Sequence, residues 1–97
     1  TTLETFKLYK EGLNAKEIAG KRNLQITTIF SHLSQLYTEG KEVELDKLVE
    51  KEIVDKVLVA FEELDRGKAL KPIFEKLNEK VSYGEIRMSL TLILQNE

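Results

Sequence analysis

The chain has no cysteine and no tryptophan, and only one proline, one histidine and one methionine. Without cysteine there is no disulfide framework and no thiolate metal site. With a single histidine there is no second imidazole to complete a zinc shell. No apolar run approaches the ~20 residues needed to span a bilayer, and the N-terminus lacks a signal-peptide pattern. No membrane partner is expected, and the lack of cysteine fits a reducing, cytoplasmic setting. Phosphate-cradling GxxxxGK[ST], GxGxxG and GxSxG are all absent. Glu62 and Glu63 are adjacent, so on a helix they diverge by about 100° and cannot share a proton. His32 has no nucleophile at a meaningful spacing. The expectation is no catalytic residue, no metal and no cofactor in these residues. The chain begins at Thr1 without a methionine, so a piece of a longer protein is expected.

What is present is a chain of 97 residues, 41% apolar, with a formal net charge of −2. That length supports one domain, read as a single unit over residues 1–97, and falls below the usual size of an enzyme. The charge is uneven. Residues 1–41 hold six Lys or Arg and four Glu, a net of +2; residues 42–97 hold nine basic and thirteen acidic residues, a net of −4. An anionic partner should therefore meet the N-terminal half, weakly and with strong salt dependence.

The most informative stretch is Leu13 to Gly40. Asn14 is a good N-cap and Glu17 can reach back to complete a capping box. A short helix follows, with small Ala19 where a second helix must approach. Arg22, Asn23 and Leu24 read as a turn, with Asn tolerating the left-handed conformation and Leu24 as the apolar plug beneath it. The next helix starts near Gln25 or Ile26. Steps of about 100° put Ile26, Ile29, Leu33, Leu36 and Tyr37 on one stripe, with Phe30 at its edge. Thr27, Thr28, Ser31, Ser34 and Gln35 fall on the opposite arc, and His32 at the border. Gly40 is a natural end. Helix, tight turn, helix is the pattern of many DNA-binding modules. The short, polar, uncharged arc suits hydrogen bonding to base edges, and equally suits a solvated face. No Lys or Arg occurs between Gln25 and Thr38.

Around this stretch, Thr1 or Thr2 can cap a first helix through about Lys10, stopped by Gly12. The alternation Lys41-Glu42-Val43-Glu44-Leu45 reads as a short strand or an extended arm. Asp46 reads as a cap. The apolar spacing from Leu48 to Leu64 predicts one helix over Asp46–Arg66, or two broken near Glu50–Glu52, ended by Gly67. Pro72 fits the first turn of a further helix ending near Lys80. Ser82 with Glu85 forms a second capping box, with Val81 and Ile86 as a hydrophobic staple. The last helix is apolar on several sides, so it is either central or covered by a partner. The fold class expected is all-α: a three-helix helix-turn-helix half over 1–40, then a C-terminal helical bundle over 41–97.

The residues TxxLYxEGLNxxEIAxxRNLxxTTIxxHL, beginning at Thr5, with Gly40 and the later LKPIFEKLNEKVSYGEIRMSL, resemble the helix-turn-helix domain at the C-terminus of bacterial RecQ-type ATP-dependent DNA helicases. The similarity spans nearly the whole chain. Phe30 stands where relatives often carry a basic residue beside the threonine pair. The resemblance implies a parent enzyme that uses ATP and Mg2+ to unwind duplex DNA in repair and recombination, with its motor domains upstream. This chain would be an accessory DNA-binding module of it. Lys16, Lys21 and Arg22 would meet phosphate, while Thr27, Thr28, Ser31, His32 and Gln35 would face the groove. The alternatives are a module docking on the helicase core or a repair protein through the last helix or Phe30, and a free-standing transcription regulator.

Overall fold

Two helix starts are set by capping boxes in the computed structural model, which describes residues 2–97. The elements are α1 (Thr2–Lys10), α2 (Ala15–Arg22), α3 (Ile26–Thr38), a 3-10 turn (Leu45–Lys47), α4 (Lys51–Glu63), α5 (Leu70–Lys76) and α6 (Tyr83–Gln95). The all-α expectation holds, and no strand occurs among the described residues. Thr2 lies inside α1, and the alternative cap Thr1 is outside the described residues. Both capping boxes form. The Asn14 side chain accepts from Glu17 N at 2.8 Å and the Glu17 carboxylate accepts from Asn14 N at 2.9 Å. Ser82 Oγ accepts from Glu85 N at 3.2 Å and Glu85 accepts from Ser82 N at 3.1 Å. Each pair satisfies two backbone donors that a helix start leaves open.

Two helices end about one turn before the sequence places their ends. Gly67 does not end α4. Asp65 and Arg66 both take the left-handed conformation, and Arg66 N donates to Phe61 O at 2.8 Å. The Arg66 guanidinium lies 4.8 Å over the Phe61 ring, an attraction that helps hold this turn. In the same way α5 stops at Lys76 rather than Lys80, because Asn78 and Glu79 are left-handed and Glu79 N returns to Phe74 O at 2.9 Å.

The segment after Gly40 is an arm rather than a strand. Its alternation is real, with Val43 and Leu45 buried and Glu42 and Glu44 exposed. No second segment among the described residues offers a ladder, and Tyr9 Oη accepts from Glu44 N at 3.0 Å instead. Asp46 is not a cap: it sits inside the 3-10 turn, whose N-cap is Glu44. The helix over 46–66 is therefore two pieces, divided between Leu48 and Glu50.

α6 is the centre of the structure, which resolves the ambiguity of its apolar surface. It packs on α3, α4, α5 and the 3-10 turn. Met88 belongs to the core that holds Ile18, Ile29, Leu33 and Leu36, while Ile86 and Leu90 belong to the core of Val57, Phe61 and Ile73. The Phe30 ring meets α6 at Gly84, and Asn96 Nδ2 donates to Tyr37 Oη at 3.2 Å. Both sequences rise together along the contact, so α3 and α6 run the same way. Close approach at Gly84 requires glycine: a Cβ there would stand 2.4 Å from a Phe30 ring carbon. No helix among the described residues is long and apolar enough to cross a membrane.

Candidate nucleic-acid interface

α2 and α3 are joined by a turn whose geometry follows from Asn23. It adopts the left-handed conformation at φ 57°, and Leu24 N donates back to Ala19 O at 3.0 Å. Arg22 is the last residue of α2 rather than part of the turn. Leu24 is 37% exposed, so it does not plug the space beneath. Ile26 is 40% exposed, although it lies on the apolar stripe. It occupies the first turn of α3, beyond the covering residues, where the stripe has nothing to pack on.

The buried stripe of α3 is Ile29, Leu33 and Leu36, as the periodicity requires. One flank lies against α1 and α2, and the other against α6. What remains open is an arc of about 100°, at about 100° per residue, holding Thr27, Ser31, Gln35 and Thr38 with Thr28 at its border. Thr27, Gln35 and Thr38 are exposed, and Thr28 and Ser31 half-buried. Ser34 does not belong to this arc. It is fully buried, because its flank of α3 is the one α6 covers. Its hydroxyl has no hydrogen-bond partner among the described residues, and neither does that of buried Ser89 on α6. The Gln35 amide donates to Glu39 at 3.1 Å, which brings a carboxylate to the C-terminal end of the arc.

Two of the proposed contact residues turn inward. Arg22 has only 13% of its side chain exposed and pairs with Glu4 at 3.3 Å. It also donates to Thr5 Oγ1 at 2.6 Å, and Thr5 Oγ1 lies 2.8 Å from His32 Nδ1. Thr5 is fully buried, so its hydroxyl proton must find a partner within the protein. With Arg22 donating to its oxygen, the proton goes to Nδ1, which makes His32 an acceptor there and places the ring proton on Nε2. Burial, and then the Arg22 charge, hold the His32 pKa below the ordinary histidine value. The imidazole is thus neutral and supplies no positive charge to a phosphate. Thr5, Arg22 and His32 together clasp α1, α2 and α3. Thr5 is not legible as a functional residue in the sequence, because a threonine carries no apolar signal that marks it as facing inward.

Lys16 and Lys21 remain outward. Both are exposed, and neither makes an ion pair among the described residues. Lys21 shares a shallow depression with Lys7 on α1, where Glu4 and Glu11 dilute the local charge. The expected constellation therefore divides in two. Lys16, Lys21, Thr27, Thr28, Ser31 and Gln35 remain accessible in whole or in part, while Arg22 and His32 hold the helices together.

A short helix opened by a capping box, a left-handed asparagine turn and a second helix with an open polar arc make up a helix-turn-helix. A family model described as a helix-turn-helix domain matches residues 1–90. The chain belongs to this helix-turn-helix family. No curated protein and no solved structure is significantly similar to it. The match covers more than the α1–α3 unit and reaches into α6, so the second half of the helix-turn-helix domain is part of the family pattern. Membership supports a nucleic-acid-binding or regulatory role for the domain.

Proposed function

We propose that this helix-turn-helix domain is an accessory DNA-binding module of a RecQ-type ATP-dependent DNA helicase acting in repair and recombination. The observation that carries the DNA reading is the open, polar, uncharged arc of α3, in a domain whose α2 carries Lys16 and Lys21 exposed and in no ion pair among the described residues. Such a surface places few phosphate contacts beside hydrogen-bonding groups, so binding is weak and salt-dependent. The helicase setting rests on the sequence resemblance, with the ATP- and Mg2+-dependent motor upstream in a cytoplasmic parent enzyme.

The docking alternative, through Phe30 or the last helix, is less favoured because both take part in packing inside the domain. Phe30 meets Gly84, and α6 packs on α3, α4 and α5 while leaving Arg87 and Gln95 exposed.

Fluorescence anisotropy of the 97-residue chain against single-stranded, duplex and forked DNA, over a salt series, tests the reading. Binding should weaken steeply with salt. Lys16→Glu with Lys21→Glu should reduce it at least tenfold, since about 1.4 kcal/mol is tenfold and each reversal both removes an attraction and adds a repulsion. No binding at low salt up to about millimolar protein, where even non-specific binders respond, would refute it.

A further inference from the structure

α3 lacks positive charge of its own, and the fold brings two cations to its covered flank. A cleft of about 280 Å³ opens where the last turn of α3 meets α6 and the entry to α5. Thr38 forms one wall, Leu90 lies in the floor, and Lys68, Arg87 and Gln95 stand at the rim. Lys68 and Arg87 are exposed and make no ion pair among the described residues. No carboxylate lines the cleft. This is unexpected in a half of the chain with a net charge of −4. The neighbouring Arg66 is by contrast tied to Glu62 and Glu97.

The polar groups are arranged for an anion. Thr38 Oγ1 donates to Ser34 O at 3.0 Å and Thr91 Oγ1 to Arg87 O at 2.9 Å, so both hydroxyl protons are committed to their own helices. The donors left for a ligand are the Lys68 ammonium, the Arg87 guanidinium and the Gln95 amide. The cleft is also continuous with the open arc, because Thr38 belongs to both. α3 has 13 residues and is about 20 Å long, whereas the major groove is about 12 Å wide. A helix inserted by its first turns leaves its last turn at a bounding sugar-phosphate strand.

We propose that this cleft is a second phosphate-binding site, in which Lys68 and Arg87 hold the DNA backbone beside the C-terminal end of α3. The proposal rests on the DNA-binding reading above and adds the residues that supply its missing charge. They lie some 30 to 50 residues beyond the helix-turn-helix pair, in the half of the chain whose net charge argues against such a role.

The test is the slope of log affinity against log salt for a 20-base-pair fluorescent duplex. Neutralising one phosphate contact changes the slope by about 0.9, so Lys68→Gln with Arg87→Gln should reduce it by about 1.8. The charge-preserving pair Lys68→Arg with Arg87→Lys should restore it, and Lys56→Gln, remote from the cleft, should leave it unchanged. Backbone amide shifts of the wild-type chain on adding the same duplex give a second readout that no misfolded variant can disturb. Residues 68, 87 and 95 should move together with Thr27 and Ser31. If the duplex binds and Thr27 and Ser31 move while the cleft and the slope do not respond, the second site is refuted and the DNA reading stands. If the wild-type chain does not bind the duplex at all, both fall.

Discussion

Replacing Gly84 by alanine sets two opposing effects against each other, and the structure decides the sign. Alanine is the better helix former by about 0.5–1 kcal/mol, so a propensity argument expects stabilisation. Gly84 lies in the first turn of α6, where that advantage is at its smallest. The new methyl would sit 2.4 Å from one carbon of the Phe30 ring and 3.2 and 3.3 Å from two more. Those are not the far end of a flexible chain. The ring is wedged between two helices, and moving it shifts α3 against α6. Overpacking of this kind costs about 1–3 kcal/mol. The expected net loss is about 0.5–2 kcal/mol, or roughly 3–15 °C in Tm for a domain of this size. Thermal and urea unfolding of Gly84→Ala measure it. Phe30→Leu should relieve the clash, so the double-mutant cycle should give a coupling near 1 kcal/mol or more in the direction of rescue. A Gly84→Ala variant as stable as the parent, or additive with Phe30→Leu, would show that α3 and α6 do not meet as described.

Two further outcomes concern the three-helix clasp. Thr5→Val keeps the volume but removes the hydroxyl that serves both Arg22 and His32, and should cost about 1–3 kcal/mol in urea unfolding, because it leaves a largely buried guanidinium without that partner. Stability should also depend on pH through His32. Its native pKa is lowered, so the unfolded chain, titrating near 6.5, takes up its proton first; stability is complete above that value and declines as pH falls through it towards the lower native pKa. Unfolding free energies across pH 7.5 to 5 should show this decline in the wild type and a flatter profile in His32→Gln.

Much of the fold can be read from local signals, and the misplaced side chains are those whose partners are distant in sequence. Asn14 with Glu17 and Ser82 with Glu85 are contained within one helical turn, so their meaning does not depend on what packs nearby. The stripe Ile29, Leu33, Leu36 is likewise a property of one helix. Ser34 is different: its polar side chain reads as outward, and it is buried because α6 arrives from some fifty residues away. Arg22 reads as a phosphate contact and His32 as a groove-facing residue, and both are drawn inward because Thr5 of α1 stands beneath them. Ending α4 at Gly67 follows glycine's freedom. The helix ends earlier because Phe61 offers Arg66 both a carbonyl and a ring face.

The same non-local packing bears on the function of α3. In an isolated three-helix unit the flank of Phe30, Ser34 and Tyr37 would be open, and the helix could present a wide face to a groove. Here α6 lies along that flank in the same direction, held by Phe30 on Gly84 at one end and Tyr37 on Asn96 at the other. The open arc is narrowed to about 100° by this cover, at about 100° per residue. What the cover removes in reach it returns in charge, since α6 carries Arg87 to the edge of the arc that α3 cannot itself make positive. A domain built this way cannot be reduced to its helix-turn-helix pair. Removing α6 would expose Met88's partners in the first core as well as empty the second, so the recognition surface and the stability of the domain depend on the same helix.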